Sequence, residues 1–242
     1  KVVRDYRIGV TKSRDVIFYQ IDIEGRCRTG KIMKYNRMTG HRIKDENVGG
    51  KITWVHSILK KSDNPKLRLP DRWDLTQCLF GEHLLKKYPF KNVAIVESEK
   101  TAVICSSFWS EYIWMATGGK SQLNSRLQVL KGRKIVAFPD VDGYQEWKEK
   151  LSQARELDIM VSDILEKSAS AEDRENHVDI ADLLIRQYRR EHISITPVEE
   201  VRDPMKNPAF LKMKEYVDIE NAEEVALLIE DLGLEMMGYK KI

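Results

Sequence analysis

Three short apolar runs constrain this chain more than any other feature: Asn92–Val96 (NVAIV), Tyr112–Ala116 (YIWMA) and Lys134–Phe138 (KIVAF). Each is too short for a stable helix, and their apolar, largely β-branched or aromatic content fits a strand buried on both faces. Between the first two, Ser98–Phe108 (SEKTAVICSSF) has helical spacing, with Ser98 or Glu99 in its first turn. After the third, Gly143 opens an amphipathic helix predicted over Tyr144–Leu157, and Ile159–Leu165 reads as a fourth strand. Strands alternating with helices predict a parallel sheet with helices packed on its faces, an α/β layer fold. Asp179–Arg190 is predicted as a further helix, and Ala222–Leu232 as the last, after a connector containing Pro197, Pro204 and Pro208.

The first third reads differently. Val16–Ile23 and Cys27–Tyr35 are predicted strands joined by the Glu24-Gly25 turn, a β-hairpin. Residues 60–72, with Pro65 and Pro70, form a polar loop, and Asp74 is placed to cap a helix carrying Leu75, Leu79, Leu84 and Leu85. The expected organisation is a basic α+β portion (1–88), an α/β portion (89–190) and an acidic helical C-terminal segment (191–242).

Charge follows this division. The net charge is only +3 over 242 residues. Residues 1–90 hold twenty Lys and Arg against ten Asp and Glu, net +10; residues 91–190 are net −1, and 191–242 net −6. Such asymmetry suggests a polyanion at the basic part, against the plainer reading of a solvated basic face. No run of about 18 apolar residues exists, so a membrane span is excluded. Cys27, Cys78 and Cys105 are too few and scattered for a disulfide framework or zinc ribbon. With no signal-like opening segment, a reducing cytoplasm is the expected location.

The chemistry is expected at the carboxyl ends of the strands. Glu97 follows NVAIV; Asp140 and Asp142 follow KIVAF in Phe-Pro-Asp-Val-Asp-Gly; Asp179 and Asp182 open a later helix. In extended backbone, residues i and i+2 point to one side, so Asp140 and Asp142 are expected to aim at one point. Two such charges need a cation between them, and oxygen-only donors favour Mg²⁺ or Mn²⁺ over Zn²⁺. That site type suits phosphoryl transfer. The Gly118-Gly-Lys-Ser121 sequence mimics the end of a P-loop, but the pattern demands Gly where Trp114 stands. An ATPase reading is therefore rejected, although Gly118 and Gly119 still permit close approach of a phosphate. His41, His56 and His83 lack partners at metal-ligand spacing.

Taken in order, Val96-Glu97, Ala116-Thr-Gly-Gly119 and Phe138-Pro-Asp-Val-Asp-Gly143 resemble the Toprim domain of bacterial-type primases, topoisomerases and some nucleases. The primase branch is most similar. Arg7–Val10, Val16–Gly25, Leu79–Leu84 and His177–Leu184 look like its flanking segments, so the resemblance spans roughly residues 6–190. It implies a Rossmann-like parallel sheet with a smaller basic α+β subdomain before it. It implies Mg²⁺-dependent (or Mn²⁺-dependent) nucleotidyl transfer that joins NTPs on a single-stranded DNA template during replication of a chromosome, plasmid, phage or mobile element, with a helicase as possible partner. Glu97 takes the place of the family's glutamate, a general acid/base or metal ligand. Asp140 and Asp142 match its metal-binding pair; Asp179, with Asp182 nearby, matches its later acids.

The chain departs from the family in having Ser98 after the glutamate and Ala181 where a second acid is common. The family's zinc-binding module has no counterpart here; any copy is expected before Lys1. By the same resemblance the basic part holds template. Arg26, Arg28, Lys31, Lys34 and Arg37 lie along or beside one hairpin strand, several on one face at period 2. Tyr35 or Trp54 could stack on an unpaired base, with a core or interface role preferred for Trp54. Lys100 and Lys120 are candidates for a phosphate, Lys100 equally for solvated surface. Two rivals stay open: a Toprim metal-dependent nuclease, and a non-catalytic nucleic-acid-binding replication accessory.

Overall fold

The computed structural model describes residues 1–192 apart from 38, 74, 120 and 121. The predicted cap at Asp74, the candidate Lys120 and the acidic segment with its predicted last helix lie outside the described residues. Lys1–Tyr188 form one compact unit and Arg189–Ile242 a second.

The chain opens with one turn of helix, α1 (Val2–Asp5). An antiparallel sheet follows in the order β1 (Gly9–Val10), β2 (Val16–Ile21), β3 (Cys27–Met33) and β4 (Thr53–Trp54). The hairpin appears as predicted, shortened by two residues at the end of each strand. Helix α2 (Val55–Lys60) runs directly on from β4.

The predicted helix after residue 74 is absent. Only one turn, α3 (Leu84–Lys87), forms there. Cys78, Leu79 and Phe80 are all buried, and consecutive burial suits extended chain rather than an amphipathic helix. Phe80 exchanges backbone hydrogen bonds of 3.0 and 3.2 Å with Ala116. Its ring stacks on Tyr6 and meets Phe18 edge-on, joining the two sheets across one hydrophobic core. The Tyr6 hydroxyl donates a buried hydrogen bond of 2.7 Å to the Trp114 carbonyl.

At Gly81 the chain turns with φ of +85°, and a Cβ there would stand 3.0 Å from the Trp114 carbonyl oxygen. Gly81→Ala is accordingly expected to cost about 1–3 kcal/mol, read as a lower urea midpoint at unchanged m-value.

The second sheet is parallel throughout, in the order β6 (Tyr112–Ala116), β5 (Asn92–Val96), β7 (Lys134–Ala137) and β8 (Asp158–Val161). Helices α4 (Glu99–Phe108), α5 (Tyr144–Ser152), α6 (Ile164–Ser168), α7 (Ala171–Glu175) and α8 (Ile180–His192) complete the described residues. The expected α/β architecture, a parallel four-stranded sheet flanked by helices, is thus observed. Val93–Val96 and Ile113–Ala116 are wholly buried, as strands covered on both faces must be. The predicted helix to Leu157 stops at Ser152, and Ile164–Leu165, expected in β8, belong to α6. No described helix is long and apolar enough to cross a membrane.

Candidate active site

Strand order places the site. From β5 the chain crosses through α4 to β6 on one side, then returns to β7 on the other. The crevice beyond the carboxyl ends of β5 and β7 is therefore a topological switch point, where open sheets of this kind bind ligands. Glu97 emerges there from β5 and Asp140 from β7, with the Phe138 amide bonded to the Ile95 carbonyl at 2.8 Å between them.

The Asp140–Asp142 pair does not adopt the expected extended form. β7 ends at Ala137, and the Gly143 amide bonds the Asp140 carbonyl at 2.8 Å, closing a turn. Within a turn, residues i and i+2 no longer share a side. Asp140 faces inward, Val141 is buried, and Asp142 is exposed with its carboxylate 3.7 Å from His177 Nδ1. The turn is docked by the Val141 amide on the Val178 carbonyl at 3.2 Å, which brings the start of α8 beside it.

There Asp179 and Asp182 cap each other's backbone: the Asp182 amide donates to Asp179 Oδ1 (3.0 Å) and the Asp179 amide to Asp182 Oδ2 (3.2 Å). This reciprocal cap satisfies donors at the helix start. Thr101 Oγ1 also donates to Asp179 Oδ2 at 2.5 Å.

These acids feel one another. Burial, reinforced by the charges of Glu97, Asp179, Asp142 and Asp182, pushes the Asp140 carboxyl up to about 8. Asp179 is also raised, by burial and by Asp182, against the opposing pull of Thr101 and Lys100. Lys100 thus lies near the acidic cluster. Among the described residues, no three His, Cys, Asp or Glu side chains stand close enough together to hold a metal ion.

A second buried charged group adjoins this crevice: Lys31, expected on a template-holding strand face, is buried on Glu99, a pairing the sequence did not reveal. Lys31, on β3, is 8% exposed, and its Nζ donates to Glu99 Oε2 (3.1 Å) and the Gly118 carbonyl (2.9 Å). Glu99 is 1% exposed in the first turn of α4, where the helix dipole favours an anion. Among the described residues its Oε1 finds no hydrogen-bond partner. Gly118 has φ of +88°, and a Cβ there would crowd Glu99 Oε1 at 3.2 Å, so both conformation and space require glycine. The Gly119 carbonyl accepts from the Thr117 hydroxyl (3.0 Å) and the Gln122 amide (2.9 Å). The only sequence signal for Lys31 was the Gly30-Lys-Ile-Met33 run, whose neighbours are too apolar for a solvent-facing strand.

The expected basic face, several residues on one side of the strand at period 2, is corrected accordingly. From Thr29 to Met33 every residue of β3 is buried, so period 2 does not separate an outer row. Arg26 and Arg28 both bind Asp22 Oδ2 through Nε, at 2.8 and 2.7 Å. Burial raises Asp22, but the Arg26 backbone and these two guanidiniums outweigh it and hold the carboxyl below its usual range. Lys34 Nζ donates to the Val48 carbonyl at 2.7 Å, while Arg37 is exposed.

Comparison with known proteins adds the following. No curated protein matches the chain. Among solved structures, the primase fragment of the bacteriophage T7 primase-helicase protein is similar at 13% identity and a TM-score of 0.46, over 78% of this chain and 66% of that one. This chain therefore spans just under two thirds of that fragment. The E. coli primase catalytic core is similar at 15% identity and a TM-score of 0.40, over 97% and 78%. A DnaG primase catalytic domain bound to ssDNA is similar at 14% identity and a TM-score of 0.38, over 78% and 64%. A family profile, Domain of unknown function (DUF6371), matches residues 1–141. That match covers more than half of the chain, which therefore belongs to the DUF6371 family.

Proposed function

We propose that this chain is a primase-like Toprim protein that performs metal-dependent nucleotidyl transfer, extending a primer from NTPs on a single-stranded DNA template. One arrangement carries the reading: Glu97 and Asp140 leave the adjacent strands β5 and β7 at the switch point of the parallel sheet, where burial and four neighbouring acids push the Asp140 carboxyl up to about 8. A site that gathers this much negative charge in an oxygen-only donor set fits a hard divalent cation, Mg²⁺ or Mn²⁺. Asp140 is the inner residue proposed to hold it; no three described acids converge as they stand, so Asp142 would have to turn in from His177 to join it, with Asp179 or Asp182. When bound, the cation supplies charge neutralisation at the reacting phosphate.

The remaining roles fall to the chain itself. Glu97, which follows β5, is proposed to take the proton of an attacking 3′-hydroxyl or to join the metal ligands. Lys100, which lies near the acidic cluster, and the Gly118-Gly119 loop are proposed to receive the incoming triphosphate. A replication role and a helicase partner belong to the same proposal.

The test is an extension assay with labelled NTPs, single-stranded template and Mn²⁺. Template-directed elongation is expected, lost on chelation with EDTA. A shortened template in place of elongation would assign the same acids to hydrolysis, and no reaction in either direction would overturn the catalytic reading.

A further inference from the structure

Residues 51–73 took no part in the site above, yet they assemble an ordered row of rings. Trp54 lies 5.8 Å from His56, centroid to centroid, with ring planes 36° apart. His56 stacks on Trp73 at 5.6 Å and 28°. Lys60 Nζ sits 5.8 Å from the Trp73 centroid. All three rings are half-buried rather than enclosed. His56 is held from below by a hydrogen bond of 2.8 Å shared with Thr29 Oγ1 on β3. Burial, and then the adjacent Lys60 ammonium, hold the imidazole below its usual range, so at neutral pH it is an uncharged ring.

The surrounding charge is one-sided. Residues 51–73 contain six Lys and Arg against two Asp. Lys60, Lys61, Lys66, Arg68 and Arg72 are all exposed, and no described carboxylate pairs with any of them. This contrasts with Arg26, Arg28 and Lys31, whose charges are already engaged.

We propose that Trp54, His56 and Trp73 form a stacking platform for the unpaired bases of a single nucleic-acid strand, with the surrounding Lys and Arg side chains taking its phosphates. Half-exposed rings offer faces to bases of any sequence, and free cations beside them match a polyanionic backbone. An acidic protein would use the cations but leave the ring row without a purpose; a duplex would keep its bases out of reach.

The platform also leads toward the carboxylate crevice. Trp54 is the cross-strand partner of Lys31, and directly paired residues of antiparallel strands share one face. Lys31 in turn reaches the Gly118 carbonyl. Trp54 is thus one residue pair and one hydrogen bond away from the loop beside Glu97. This deepens the proposed function by naming the surface that takes its strand, and it rests on that reading only for where the strand goes next.

The test is binding of a labelled oligothymidylate of about twenty nucleotides, followed by anisotropy and by tryptophan fluorescence. Trp73→Ala is expected to weaken binding about tenfold. Trp73→Phe is expected to keep the affinity within about twofold while losing part of the fluorescence quenching, a result that a merely structural tryptophan would not produce. A surface variant, Lys60→Glu with Arg72→Glu, is expected to bind weakly and to reduce the salt dependence by about two counterions, with an unchanged far-ultraviolet spectrum.

Wild-type affinity in both Trp73→Ala and the charge-reversed variant overturns the platform. Preference for duplex over single strand overturns it equally. Strand binding without synthesis in the wild type would sink the catalytic reading alone. Synthesis with Trp73-independent binding would sink the platform alone.

Discussion

Asp140→Asn is expected to abolish metal-dependent nucleotidyl transfer, by at least about a hundredfold, and at the same time to stabilise the protein above neutral pH. The two effects share one cause. In the folded chain burial and the charges of Glu97, Asp179, Asp142 and Asp182 raise the Asp140 carboxyl to about 8. In the unfolded chain it ionises near the ordinary aspartate value of 3.8. Between these values the folded state holds a proton that the unfolded state has lost. Stability therefore falls as pH rises through that window, and above about 8 the whole penalty is present. Asn cannot ionise and escapes the penalty.

The variant should thus melt at the same temperature as the wild type near pH 4 and several degrees above it at pH 8, a gain on the order of 2 kcal/mol. Added Mg²⁺ should raise the wild-type melting temperature and leave that of the variant nearly unchanged. Thermal melts at pH 4, 6 and 8, with and without Mg²⁺, check this. A gap that does not widen with pH would remove the buried-acid argument.

Lys31→Met carries the largest expected loss of stability. The lysine is the cation for Glu99, which is 1% exposed and, among the described residues, has one carboxylate oxygen bonded. Removing it leaves a charge buried without a partner and frees the Gly118 carbonyl, a change worth about 3–5 kcal/mol. The double variant, Lys31→Met with Glu99→Met, removes both charges and should recover much of that loss. Urea unfolding of the four proteins gives the coupling energy directly. A single-variant loss within about 0.5 kcal/mol would show that the pair does not hold the two sheets together.

Much of the parallel sheet was legible because its strands are buried on both faces. NVAIV and YIWMA need no partner's identity to declare themselves; their boundaries were read to the residue. The carboxylates at the strand ends were equally plain, since strand direction alone places Glu97 and Asp140 at one edge. The misreadings have a common origin. Leu75, Leu79, Leu84 and Leu85 have helical spacing, yet Leu79 and Phe80 lie beside β6 because the Ala116 backbone is open to pairing. Asp140 and Asp142 have strand spacing, yet a turn closes between them because Val178 draws Val141 into the core.

Lys31 follows the same logic, and so does Trp54. By pattern, Lys31 belongs to a solvated hairpin face, and Trp54 to a core or interface. Neither local periodicity nor composition reveals that α4 of the other sheet presents Glu99 to one, or that His56 and Trp73 line up with the other. Burial patterns and strand-end chemistry are properties of short stretches, so the α/β layering and the acids at its edge were settled by the residues alone. Which charge is neutralised, which carboxylate faces inward and which rings stay open depend on groups up to 87 residues apart, as from Lys31 to Gly118. Only the packing of the two sheets, driven by their shared apolar core, brings such groups within hydrogen-bonding range.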